Sequence, residues 1–149
     1  MKASTGPVYE DQAVYDPWLK LVVGIVLGAT FVAGLVLISE NLGAAFVMLG
    51  LTLFDAALFK AILPRKFQIF EDRLTIVLGW SFRIDTPFSN IVDARSVSGT
   101  KAFAYWGLRF ATSTRHVVEV IRKKGLNLVV SPANEETFLE QLNRARRLS

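Results

Sequence analysis

Two long apolar stretches dominate the first 63 residues of the chain. Residues 21–39 are 19 consecutive positions without a charged side chain, which as a helix extend about 28 Å, the thickness of one bilayer core. After the polar pair Glu40-Asn41, a second apolar stretch runs from Leu42 to Leu63 and ends at Pro64, a residue that a helix interior tolerates poorly. The pattern predicts a transmembrane hairpin within residues 18–63, with helices over about 18–39 and 42–63.

Basic residues around the hairpin predict its orientation. Lys20 precedes the first helix, Lys60, Arg65 and Lys66 close the second, and the connector has no basic residue. Because Lys and Arg near span ends are retained on the cytoplasmic side, we expect both termini, including an N-terminal segment of residues 1–17, in the cytoplasm. A secretory signal peptide is the alternative for the first stretch, but acidic residues precede it and it is longer than the usual run of about 7–15 residues.

Small and acidic residues within the spans are candidates for a helix contact. Gly24 and Gly28 are four residues apart, a spacing that lets two helices approach closely. The second helix of the same chain is the simplest partner, and a neighbouring membrane subunit is the alternative. Asp55 is costly in a span unless it is paired or hydrated, and counting from the connector places it opposite Gly24 and Gly28. It is interpreted either as a neutral or hydrated carboxyl or as a third partner-binding residue.

Apolar and polar residues alternate in short runs from Pro64 onward, as is typical of β-strands. Seven runs are predicted, at 67–69, 74–78, 82–85, 91–97, 103–110, 115–122 and 126–130. The last segment returns to helical periodicity, with Asn134 as an N-cap and Phe138, Leu142 and Ala145 on one apolar stripe. We expect a cytoplasmic domain of residues 64–149, in which about seven antiparallel strands form a barrel or sandwich capped by a helix over about 135–147.

The composition argues against a catalyst. The absence of cysteine excludes thiolate nucleophiles and thiolate metal sites, and a single histidine excludes sites built from several imidazoles in a monomer. That residue, His116, alternates with Val118 and Val120 and is interpreted as a core or rim residue rather than a general base. Neither a nucleophile elbow nor a Gly-rich anion loop accompanies it. We therefore expect no enzymatic activity, no cofactor and no metal.

A succession of short motifs in the last 85 or so residues resembles a known family. In order, they are Phe67-Gln68-Ile69-Phe70-Glu71-Asp72-Arg73-Leu74, Phe88-Ser89-Asn90-Ile91, Trp106-Gly107-Leu108-Arg109, Val118-Glu119-Val120 with the turn Lys124-Gly125, and Ser131-Pro132-Ala133-Asn134-Glu135-Glu136-Thr137-Phe138-Leu139. This order is similar to that of the bacterial pleckstrin-homology-like (PH-like) domain family, whose members commonly carry one or two preceding membrane helices. The resemblance implies a seven-stranded barrel, a C-terminal helix, a binding or scaffolding role and, with the hairpin, a bacterial inner-membrane location. Phosphoinositide binding is not carried over, because the first hairpin turn, Glu71-Asp72-Arg73, is acidic.

Two functional hypotheses follow. The first is an accessory, assembly or scaffold subunit that docks on a larger membrane complex, using the membrane residues above and the cytoplasmic aromatic residues Tyr105 and Trp106, whose types are enriched at interface hot spots. The alternative is a membrane-surface sensor of anionic lipid headgroups. Residues 64–149 carry 14 Lys and Arg against 8 Asp and Glu, and the basic residues nearest a predicted lipid surface are Lys60, Arg65, Lys66, Lys123 and Lys124. These are scattered and accompanied by no stacking motif, which argues against a nucleic-acid partner.

Overall fold

Two long helices form the first of two structural units. A computed structural model of the chain describes residues 6–97 and 107–149. Helix α1 spans Pro17–Leu37 and helix α2 spans Leu42–Ile62. Pro17 suits the first turn of a helix because it has no N–H to leave unpaired, and the Asn41 side chain accepts a hydrogen bond from the Ala44 N–H at the start of α2 (3.1 Å). Both helices are long and apolar enough to cross a membrane, as the sequence predicts.

One face of each helix makes the contact within the hairpin. The Thr52 hydroxyl on α2 donates to the Thr30 hydroxyl on α1 at 3.0 Å. Toward the connector, Gly34 is buried, and a Cβ added there would lie 2.8 Å from Cδ2 of Leu49. Ala45 on α2 is 1% exposed. Small residues and one hydroxyl pair therefore bring these two helices together.

The second unit combines Met1–Tyr15 with Leu63–Ser149. Its first sheet has the order β1-β2-β3-β4, with every neighbouring pair antiparallel. The strands are β1 (Tyr9–Gln12), β2 (Pro64–Ile69), β3 (Arg73–Leu78) and β4 (Arg83–Pro87). The prediction set residues 1–17 apart, whereas β1 lies before the helices and pairs with β2 after them.

The second sheet has the order β5-β7-β8-β6. The strands are β5 (Ile91–Ser96), β6 (Gly107–Phe110), β7 (Val118–Arg122) and β8 (Asn127–Val130). β5 and β8 both pair antiparallel with β7, but β6 runs parallel to β8 at the sheet edge. This pair departs from the expected all-antiparallel order, because residues 111–117 carry the chain past β8 before β7 begins.

The core lies where both sheets meet the C-terminal helix α3 (Glu135–Leu148). Asn134 caps α3 by accepting a hydrogen bond from the Thr137 N–H (3.2 Å), as its position predicts. The predicted stripe of Phe138, Leu142 and Ala145 is buried. The core residues of the sheets are Phe67, Ile69, Leu74, Ile76, Ile91, Ala94, Val118, Val120, Leu128 and Val130, together with Phe88 between the sheets.

The segment after β1 connects the two sheets. The Val14 N–H donates to the carbonyl of Ser131 (3.0 Å), and the Ala133 N–H donates to the carbonyl of Gln12 (2.9 Å). The Thr112 hydroxyl also donates to the carbonyl of Val14. These contacts make residues 9–14 an integral part of the β-rich unit rather than a separate N-terminal segment.

Candidate functional site

The predicted glycine contact faces away from the hairpin interior. A Cβ added at Gly24 or Gly28 would meet nothing within 4 Å, whereas the helix contact passes through Thr30 and Gly34. The interpretation of Gly24 and Gly28 as an intrachain seam is therefore wrong. Both residues lie on the same helical face, which the described residues leave open, and the alternative of a neighbouring subunit stays a prediction.

Asp55 lies on α2, on the side of that helix that faces α1, whereas the two glycines lie on the side of α1 that faces away from α2. It is partly buried and follows Thr52 by three residues, so it continues the row of α2 that faces α1. In an antiparallel hairpin, this position corresponds to the level of Leu27, close to the expected height but not on the open face of Gly28. Within the described part of the chain, Asp55 makes no hydrogen bond or ion pair. The three predicted membrane residues thus do not form one cluster in a single chain.

The candidates predicted within residues 64–149 divide into those outside and those within the described residues. Tyr105 and Trp106 lie outside them. His116 is exposed, so the expected alternation with Val118 and Val120 does not extend to it, because β7 begins only at Val118. Among the described residues, no group of three His, Cys, Asp or Glu side chains could hold a metal ion.

Four of the five predicted basic residues belong to the β-rich unit, where they lie in two separate pairs. Arg65 and Lys66 are the second and third residues of β2. Lys123 and Lys124 lie in the turn after β7, where both backbone N–H groups donate to Asn90, at 2.8 and 2.9 Å. Asn90 lies just past the Pro87 end of β4, whereas Arg83, at the other end of that strand, is level with Lys66. The four residue steps between these two ends of β4 correspond to about 13 Å along the strand. Lys60 belongs to the helical unit, where it is exposed in the last turn of α2.

An open polar cleft lies on the outer face of the first sheet, at the end where β2 begins. It has a volume of about 690 Å³. Its polar and charged lining residues are Glu10, Gln12, Tyr15, Arg65, Lys66, Gln68, Ser81 and Arg83. Three cations and one carboxylate give this lining a formal charge of +2. The cleft brings eight polar or charged side chains together, and we treat it as the candidate site.

A β-bulge places two of the cations in the cleft. Pro64 pairs with Leu78 and Lys66 with the next residue back, Val77, so Arg65 is an extra residue in the ladder. A bulge breaks the strict alternation of side chains, and both Arg65 and Lys66 consequently line the cleft. Arg83 joins them from β4 because it pairs with Val77 on the same face.

Glu10 neutralises one of the three cations. Its carboxylate accepts hydrogen bonds from the Gln68 amide (2.5 Å) and the Lys66 ammonium (3.0 Å), and these contacts, the Gln68 amide first, lower the pKa of Glu10. The ionised pair is therefore fully formed above the ordinary pKa of Glu and is lost as the pH falls through the lowered value. Arg65 and Arg83 have no ion-pair partner among the described residues.

Hydrogen bonds join the backbone at the start of β2 to the segment after β1 along one side of the cleft. The Ala13 N–H donates to the carbonyl of Arg65 (3.0 Å), and the Tyr15 hydroxyl donates to the carbonyl of Pro64. Burial raises the pKa of Tyr15, so this phenol remains a donor across the neutral range. The two guanidinium groups in this lining can bind an oxyanion such as a phosphate, because planar N–H donors match its oxygens.

Glu10, Gln12 and Tyr15 were not among the predicted site residues. Glu10 and Gln12 reach the cleft through β1 and Tyr15 through the segment after it, and the pattern Tyr9-Glu10-Asp11-Gln12 lacks the apolar alternation by which a strand is recognised. No protein-family model, curated protein or solved structure matches the chain in the three comparisons made. The PH-like resemblance therefore remains a prediction from the motifs themselves.

Proposed function

We propose that the chain is a non-catalytic, membrane-anchored accessory or scaffold subunit of a larger membrane protein complex. In this proposal α1 and α2 span the membrane, and the β-rich unit is a PH-like binding module in the cytoplasm of a bacterial cell. The observation that carries it is the open face of Gly24 and Gly28, which the hairpin leaves uncovered while using Gly34 for its own contact. An uncovered small-residue face allows a further helix to approach closely.

The pairing of β1 with β2 supports the membrane topology. The residues before α1 and those after α2 belong to one sheet, so both ends of the hairpin lie on the same side of any membrane that it spans. The basic residues at these ends favour the cytoplasmic side. Because the chain has no cysteine, single cysteines at Asn41 and Ser89 give a clean test. A membrane-impermeant thiol reagent added to intact cells should label only the Asn41→Cys variant, and labelling of Ser89→Cys alone would overturn the orientation.

Partner docking is tested by adding bulk to the open face. Gly28→Leu should cost the protein its copurifying partner after mild solubilisation, because leucine prevents close helix approach. Gly50→Leu on α2 is the matched control, since a Cβ at Gly50 also meets nothing within 4 Å. Retention of the same partner by the Gly28 variant would refute docking through this face.

Anionic headgroup binding is the second candidate function, and the cleft favours it. Arg65 and Arg83 lack a carboxylate partner among the described residues, and the lining is positive. A short-chain anionic phospholipid, added to the full chain in zwitterionic micelles, should raise the unfolding temperature because it binds only the folded state. Arg83→Glu should abolish the shift, whereas Lys124→Glu, at the other end of the unit, should leave it unchanged. Equal loss in both variants would indicate a nonspecific charge effect and would count against the cleft.

A further inference from the structure

The turn between β3 and β4 has an unusual backbone at Trp80 and Ser81 and carries a second aromatic residue, Phe82. Trp80 and Ser81 both have positive φ, at 53° and 66°. Consecutive residues of this kind form the tight hairpin turn in which Asn and Gly are favoured, because a side chain crowds the backbone there. Trp80 is nevertheless 56% exposed, and Phe82, the next aromatic residue, is 58% exposed. The fold gains little packing from either ring, so their presence calls for another role.

The backbone fixes this turn beside the residue that leaves α2. The Gly79 N–H donates to the carbonyl of Leu63 at 3.1 Å, and the adjoining Leu78 pairs with Pro64. Leu63 directly follows Ile62, the last residue of α2. One peptide unit, with about 3.8 Å between Cα atoms, thus separates the end of that helix from the residue to which the turn is hydrogen bonded.

We propose that this turn is an interfacial membrane anchor, with Trp80 and Phe82 seated in the headgroup and upper acyl layer of the bilayer. The inference rests on the proposed function, in which α2 spans the membrane and ends at its surface. Aromatic rings, tryptophan above all, favour that layer. Arg83 follows the turn directly, and Arg65 is the second residue of β2, so cations that suit an anionic surface lie near the rings.

Tryptophan fluorescence in lipid vesicles tests this proposal on the full chain. The sequence has three tryptophans, Trp18, Trp80 and Trp106. A Trp18→Phe, Trp106→Phe double variant reports on Trp80 alone, and a Trp80→Phe, Trp106→Phe double variant reports on Trp18 at the start of α1. Each is reconstituted into vesicles that carry a nitroxide quencher either near the headgroup or near the acyl end.

The expected result is a blue-shifted Trp80 emission that the shallow nitroxide quenches more than the deep one and that aqueous iodide quenches weakly. If lipid nitroxides quench Trp18 but not Trp80, and iodide quenches Trp80 freely, the hairpin is inserted. In that case the anchor proposal is refuted, and the proposed membrane-spanning hairpin is not. If neither residue is quenched from the lipid, membrane anchoring itself is refuted and the anchor falls with it.

A second label keeps the test independent of the tryptophan replacements. The natural chain lacks cysteine, so Phe82→Cys with an environment-sensitive fluorophore reports on the same turn. Ser89→Cys is the matched control, an exposed site past the far end of β4. The label at position 82 should shift to the blue on reconstitution and the label at 89 should not. Equal spectra at both positions would overturn the anchor.

Discussion

Truncation of Phe138 tests how α3 closes the β-rich unit. This side chain is fully buried and meets the ring of Phe67 edge to face, with centroids 6.1 Å apart and an interplanar angle of 69°. Phe138→Ala removes a ring from a site enclosed by both sheets, where the surrounding side chains can close the cavity only in part. The helix itself should remain cap-stabilised, because Asn134 and Thr137 are unchanged.

The loss should be a large fraction of the stability of the unit. Burial of this kind corresponds to about 3–5 kcal/mol for Phe→Ala, which includes the edge-to-face contact of about 1 kcal/mol. Domains of this size unfold at a cost of about 5–15 kcal/mol. With a urea dependence of about 2 kcal/mol per molar, the unfolding midpoint should fall by about 2 M.

Urea unfolding of the full chain in detergent micelles, read by a brief protease pulse, measures this midpoint. Arg147→Ala is the matched control on the same helix, because Arg147 is exposed. Arg146 is unsuitable, since its guanidinium donates to the carbonyls of Ile91 (3.2 Å) and Val92 (2.7 Å). Equal midpoints for Phe138→Ala and Arg147→Ala would refute the packing described here.

Two further pairs of variants test local chemistry. Thr86 and Thr75 are each 1% exposed, but the Thr86 hydroxyl has no hydrogen-bond partner among the described residues, whereas the Thr75 hydroxyl donates to Asp85 at 2.5 Å. Thr86→Val should therefore keep or raise the urea midpoint, while Thr75→Val should lose about 1 kcal/mol; the reverse order would contradict this account. Glu10→Gln should enlarge the thermal shift caused by anionic phospholipid, because it frees Lys66 in the cleft, and Glu71→Gln, in the β2–β3 turn, should not.

Local periodicity predicts most of the elements but not all of their partners. The runs around Ile76 and Leu128 alternate clearly because one face of each strand meets the core. Tyr9–Gln12 is a polar edge strand, and what makes it a strand is the ladder offered by β2, more than fifty residues later. The parallel pairing of β6 with β8 likewise depends on the route of the connection between β6 and β7. The residues within either strand do not determine that route.

The candidate site shows the same limit. The spacing of Gly24 and Gly28 is equally compatible with either partner, and the rotation of α1 is set by Thr30 and Gly34 instead. Arg65 and Lys66 are recognisable as basic residues near a predicted span. Their separation from Lys124, and the presence of Glu10 beside them, depend on how the strands are ordered.

The pairing of β1 with β2 also imposes an order of events during synthesis. Glu10 and Gln68, which are hydrogen bonded in the folded sheet, are 58 residues apart, so at about 5–20 residues per second the ribosome needs roughly 3–12 s to supply the second strand after the first. Both helices are made in that interval. A chain that inserted only one of them would hold β1 and β2 on opposite sides of the bilayer, where the first sheet could not be completed. In the proposed membrane topology, completion of this sheet therefore requires that both helices insert, and a chain that inserts only one of them exposes the unpaired edge of β2 to proteolysis.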